Sequence, residues 1–220
     1  MWNSVTWYSK LLAVVLFVGV LCLGFYLGRQ DAEIKNISVS IPRASVKDLK
    51  TYTEPSGIYR FSFDPRFMVI SGDDTKPTKD WRLNSTAEGI LLTMLTIPRP
   101  YQPSTNFSEA KLTIGRSTDP SAIRDCVVVE TWARTVASVT IDGYVFKKVS
   151  FSDAGAGNFY DTTSYRAVLD GDCYVIEYTV HSTNIGNYSP DQGIKEFDRA
   201  NVQNELESAI QSSRFQLADN

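Results

Sequence analysis

Among its 220 residues this chain has one histidine and three cysteines, and no cluster of basic residues. Each scarcity excludes something. A lone histidine, His181, with so few thiols leaves no Cys/His set for a zinc centre. Lys and Arg number 22 against 25 Asp and Glu, a formal net charge of -3. Phosphate-backbone binding needs a basic patch, so a nucleic-acid partner is not expected. No G-x-S-x-G elbow is present to present a serine nucleophile. The stretch "DAGAGNFYD", 153–161, groups Asp153, Asn158 and Asp161 around two glycines. It lacks the alternating-oxygen spacing and closing glutamate of a calcium loop and reads as a hairpin connection. Its glycines are too sparse for a phosphate-binding loop, so no cofactor is implied.

What is present begins at the amino terminus. "LLAVVLFVGVLCLGFYLG", 11–28, is uncharged and about as long as a helix needs to cross a hydrocarbon core. Trp2, Trp7, Tyr8 and Tyr26 flank it with rings that favour the membrane interface. A cleaved leader would be shorter and would end in small residues, which Tyr26 and Leu27 are not. The expectation is a short cytoplasmic tail over 1–10, a single membrane span over 11–28 with lipid as its partner, and a tether over 29–57. The globular domain then occupies 58–220 outside the cytoplasm. Cys22 lies in the span, which leaves Cys126 and Cys173 as one pair in the rest of the chain. In an oxidising compartment such a pair forms a disulfide.

After the tether, 43% hydrophobic and 21% charged residues indicate a globular fold. "IYRFSFDP" alternates as a half-buried strand and "FMVIS" continues as another. "GILLTMLTIP" reads as a central strand covered on both faces, and "EAKLTIGRS" as a further alternating one. Asp119 and Pro120 open a short helix as N-cap and first residue. "SVTIDGYVFKKVSF" and "YRAVLDGDCYVIEYTV" each set Asp-Gly between apolar alternations, which predicts hairpins with two-residue type I′ turns. Val202, Leu206, Ala209 and Ile210 recur at helical spacing near the end, and a short strand is expected near Phe215. The class is therefore α+β with an antiparallel sheet and flanking helices.

The Asp170-Gly171 turn fixes a register in which Arg166 faces Val175, Ser164 faces Glu177 and Tyr160 faces His181. Tyr174, Ile176, Tyr178 and Val180, with Tyr165 and Phe159, form a core face. His181 belongs to the more polar face, about 13 Å along the strand from Glu177, so that carboxylate cannot orient it. A histidine stacked on Tyr160 is expected rather than a catalytic base. Arg166 and Glu177 are diagonal neighbours, expected to be a solvated surface pair worth under about 1 kcal/mol. The following loop carries Asn184, Asn187 and Tyr188, either as turn chemistry or as part of a binding surface with Tyr160, Arg166, Glu177 and His181.

"SGIYRFSFDPRFMVIS" resembles the opening of small extracytoplasmic domains with the PsbP/Mog1-like fold, and "LESAIQSSRFQ" resembles their closing helix and strand. The middle, from "FKKVSFSDAGAGNFYD" to "EYTVHSTNIGNY", is similar to uncharacterised bacterial membrane-anchored proteins. The resemblance implies an antiparallel sheet flanked by helices and binding or assembly roles, with no shared catalytic residues.

The expected role is a membrane-anchored, non-catalytic module that binds an envelope protein or a small ligand. Two alternatives stand beside it. One is a hydrolase with His181 as base. The other is a structural subunit assembled through its span, where Gly24 and Gly28 form a G-x-x-x-G pair.

Overall fold

Three two-residue turns shape the second half of the chain. Asp142-Gly143, Ala156-Gly157 and Asp170-Gly171 all hold positive φ, at 50° and 83°, 51° and 77°, and 50° and 82°. Both central residues of a type I′ turn need that region, and its twist matches the strands it joins. The turns connect β6 (Thr135–Ile141), β7 (Tyr144–Gly155), β8 (Asn158–Leu169) and β9 (Asp172–Thr183) into a meander. The predicted β8–β9 register holds residue for residue, from Leu169 opposite Asp172 to Tyr160 opposite His181.

The computed structural model describes residues 7, 16–18, 48–73 and 75–216. Of the expected span, residues 16–18 are helical and exposed; the rest of it, most of the tail and the tether up to 47 lie outside the described residues. Among the described residues no helix is long and apolar enough to cross a membrane. The chain divides into units Met1–Val46 and Lys47–Asn220.

In the second unit β1 (Lys50–Thr53), β2 (Tyr59–Phe63) and β10 (Arg214–Phe215) make a three-stranded antiparallel sheet in the order β1-β2-β10. Residues 50–53 were expected in the tether. They form a strand because β2 offers them a free edge, pairing Tyr52 with Phe61. A seven-stranded antiparallel sheet adds β3 (Met68–Ser71), β4 (Ile90–Pro98) and β5 (Phe107–Ser117) to the meander, in the order β3-β4-β5-β9-β8-β7-β6. β9, not β4, is thus the middle strand. Helix α1 (Pro120–Asp125) is capped by the Asp119 carboxylate, which accepts from the Ser121 and Ala122 amides. Helix α2 (Arg199–Gln211) is capped by Asp198.

The main core lies on one face of the large sheet. Val202, Leu206, Ala209 and Ile210 of α2 are buried there with Tyr174, Ile176 and Tyr178 of β9 and with Tyr59, Phe61 and Phe215 of the small sheet. Glu207 pins the helix to the strands by accepting from the Tyr165 and Tyr178 hydroxyls and from Lys148 Nζ. Burial, and then the Glu207 carboxylate, push the Tyr165 hydroxyl pKa up. Phe159 departs from the predicted core face. It sits at the strand end beyond the reach of α2 and is 39% exposed.

Candidate functional site

The opposite, outer face of the large sheet was expected to be polar and solvated. Two irregular segments roof part of it instead. The first, between β3 and β4, is stapled by Trp81, which is fully buried and donates from Nε1 to Ala87 O at 3.1 Å. Trp81 fits because Gly89 and Gly115 have no side chain. A Cβ on Gly89 would stand 2.5 Å from the indole, and one on Gly115 would collide with the Trp81 carbonyl oxygen. The second segment is α1 and the stretch after it, covalently tied down by the disulfide Cys126–Cys173, with Cα atoms 5.6 Å apart. Both sulfurs are buried with Trp81, Ala122 and Val175 in a small second core.

Arg166 holds this second segment at a further point. It is 2% exposed, and Nη1 donates to Glu130 Oε1 at 2.9 Å and to Val128 O at 3.1 Å, while Nε donates to Ser164 Oγ at 3.0 Å. The expected Arg166–Glu177 surface pair therefore does not form, because both residues lie under the roof. Glu177, 5% exposed, accepts the Leu83 amide on Oε1 at 2.7 Å, and its Oε2 is buried without a partner.

Between the roofing segments the sheet is open. In register, Lys111 of β5, Thr179 of β9, Thr162 of β8 and Phe151 of β7 form one row across four strands. At about 4.8 Å per strand the row runs about 14 Å. Two adjoining cavities lie along it, of about 460 and 430 Å³, both lined by Leu83, Asn84 and Thr179. The first is walled by Lys79, Arg82, Lys111 and Glu177. The second is walled by Trp132, Phe151, Asp153 and Tyr160. Trp132 is 51% exposed and stands edge-on to Phe151 with ring centroids 4.6 Å apart. The floor between the two ends is hydroxylic, with Thr162 Oγ1 and Thr179 Oγ1 2.8 Å apart. The result is a groove with a charged end, a neutral polar middle and an aromatic end.

Burial lowers the Arg82 pKa and Arg166 lowers it further, against the opposing pull of Glu177 and Glu130. Arg82 Nε, like Glu177 Oε2, is buried without a hydrogen-bond partner. Lys111 is tied to Glu109 at 2.7 Å, whereas Lys79 reaches into solvent.

His181 lies in the next row, stacked on Tyr160 with centroids 4.5 Å apart and planes 16° from parallel. Its Nε2 is 2.9 Å from Asn158 Oδ1, an amide oxygen rather than a hydroxyl or carboxylate. Burial lowers its pKa, with Glu109 opposing and Lys111 adding to the effect. Asn184 caps a 3-10 turn by accepting from the Gly186 amide, Asn187 donates to Gly157 O, and Tyr188 bonds Thr183. These three shape the β9–α2 connection and line neither cavity. Of the sequence-selected surface residues, the structure brings Tyr160 and Glu177 to the groove and buries Arg166 beside it.

Sequence reasoning did not single out Lys79, Arg82, Leu83, Glu130 or Trp132. All sit in segments without periodicity. The signals that were available are an aromatic in a polar stretch, Trp81 and Trp132, and the glycine at 115 within an alternating strand, which marks a close approach. Among the described residues no cluster of His, Cys, Asp and Glu is arranged to hold a metal.

No family model matches the chain, and no curated protein matches it. Solved structures with some likeness include a crystal structure from Bacteroides thetaiotaomicron VPI-5482, with 11% identity and a TM-score of 0.41 over 77% of this chain. This chain spans about half, 49%, of that one. The solution structure of PsbP (CyanoP) from Synechocystis sp. PCC 6803 has 10% identity and a TM-score of 0.40, covering 81% of this chain and 99% of that one.

Proposed function

We propose that the chain is a non-catalytic binding module of PsbP/Mog1-like fold, anchored by residues 11–28 in a membrane and facing an oxidising compartment. Its ligand lies in the outer-face groove. The apolar amino-terminal stretch supports the anchor, and the Cys126–Cys173 bond supports the compartment. The observation that carries the binding role is the groove itself. It is concave, floored by rigid strands and walled by segments pinned through a disulfide, a buried arginine and a buried tryptophan. Its aromatic end, where Trp132, Phe151 and Tyr160 stand beside a few polar groups, has the usual form of a small-ligand site. The hydrolase alternative finds less support, since His181 spends Nε2 on an amide oxygen.

A photo-crosslinking residue placed at Leu83, in the groove, and at Val145, on β7 away from it, tests the reading in intact cells. The expected result is a discrete adduct at 83, absent at 145 and unchanged by His181→Ala. Equal labelling at both positions, or an adduct abolished by His181→Ala, would contradict it.

A further inference from the structure

Buried Glu177 and half-buried Arg82 wall the same cavity, each with one atom closed to solvent and unpartnered, and the two atoms want complementary things. Glu177 Oε2 needs a donor and Arg82 Nε–H needs an acceptor. Leaving such atoms unmet in a low-dielectric setting is costly, so an occupant that meets both gains from each. A secondary amide presents one N–H and one C=O on a single plane. Lys79, an exposed cation with no ion pair among the described residues, lies at the same end and suits a carboxylate close to that amide. An amide nitrogen one carbon away from a carboxylate is the end of a polypeptide. Beyond it, Thr162 and Thr179 offer hydroxyls to a main chain, and Trp132, Phe151 and Tyr160 offer aromatic surface to a side chain.

We propose that the groove captures the carboxyl terminus of a peptide. The last peptide bond bridges Glu177 and Arg82, the carboxylate meets Lys79, and an apolar side chain upstream rests on the Trp132 end. The length agrees, since the row of about 14 Å matches about four residues of extended chain. Glu177 Oε2 and Arg82 Nε are closed to solvent in the empty groove. The peptide must therefore enter beneath the Leu83 side of the wall, which the Leu83 amide holds to Glu177 Oε1. This assignment rests on the groove being a binding site, and the test separates the two.

The test titrates the full-length chain in detergent with three probes, followed by calorimetry: acetyl-Phe-Ala-Ala with a free carboxylate, the same peptide carboxamidated, and chitotriose. The expected result is saturable binding of the free acid and about tenfold weaker binding of the carboxamide, from loss of one charge-assisted contact. Lys79→Ala and Trp132→Ala should each weaken the free acid by about fivefold to tenfold. Lys79 is an exposed position that anchors no part of the wall, so its effect is readable even if Glu177→Gln fails to fold. Equal affinity for acid and carboxamide would overturn the assignment, as would chitotriose binding in place of peptide. Absence of peptide binding with the residue-83 adduct retained would sink the peptide but not the groove. Loss of both would sink the binding role as well.

Discussion

Replacing Cys126 and Cys173 together with alanine should cost the second unit about 4 kcal/mol. The bond closes a loop with a sequence separation of 47 residues. The chain-entropy relation gives about 14 cal/mol/K for such a loop, or about 4 kcal/mol at 25 °C. That is a large part of the 5–15 kcal/mol typical of whole domains. The loss should also be localised. The segment after α1 keeps other attachments, among them Arg166 to Glu130 at 2.9 Å and to Val128 O at 3.1 Å, and Trp132 against Phe151. It should loosen before the meander does. Guanidinium denaturation of the full chain, with an m-value of about 4 kcal/mol/M, would then show a midpoint lowered by about 1 M. Amide exchange in the double variant should rise first over residues 119–134 and last over β8 and β9. A midpoint shift within experimental scatter would refute the entropic account. A shift with exchange raised evenly along the chain would refute the claim that the bond mainly holds the roof.

Three further perturbations probe other joints. Gly115→Ala should destabilise by about 2–3 kcal/mol, because its methyl meets the Trp81 backbone rather than a movable side chain, and near-ultraviolet circular dichroism should report the displaced indole. Glu130→Leu should cost about 3 kcal/mol by leaving the Arg166 guanidinium buried without its carboxylate, whereas adding Arg166→Met should restore most of that loss; thermal unfolding of the two single variants and the pair measures the coupling. His181 has a folded-state pKa below its ordinary 6.5, so the unfolded chain binds the proton more tightly. Its contribution is complete above that pH and is lost as pH falls through it, and His181→Ala should flatten the stability profile between about pH 7 and 5.

The meander was legible because its turns announce themselves. Asp170-Gly171 set the β8–β9 pairing, and with it the stack of His181 on Tyr160. The β7–β8 connection was read as a hairpin from the stretch 153–161, but its two-residue type I′ form was not, because Ala156 holds a φ of 51° despite carrying a side chain that disfavours it. β1 escaped notice because four residues of "KTYT" in a polar stretch carry little alternation. The site was the least legible part. Alternation shows which residues share a face but not what covers that face. The polar Arg166 and Glu177 suggested solvent, whereas they lie beneath the segments carrying Glu130 and Leu83. Those segments have no period to read, and their placement depends on long-range fits such as Trp81 against Gly89 and Gly115.

The most direct measurement is a nitrogen-labelled indole spectrum of the full chain during titration with acetyl-Phe-Ala-Ala. The chain has 4 tryptophans, which give separate signals. The account predicts that the Trp132 resonance moves and saturates while Trp2 and Trp7 stay fixed. Immobility of Trp132 at saturating peptide, or shifts confined to the amino-terminal indoles, would contradict a ligand site on the outer face.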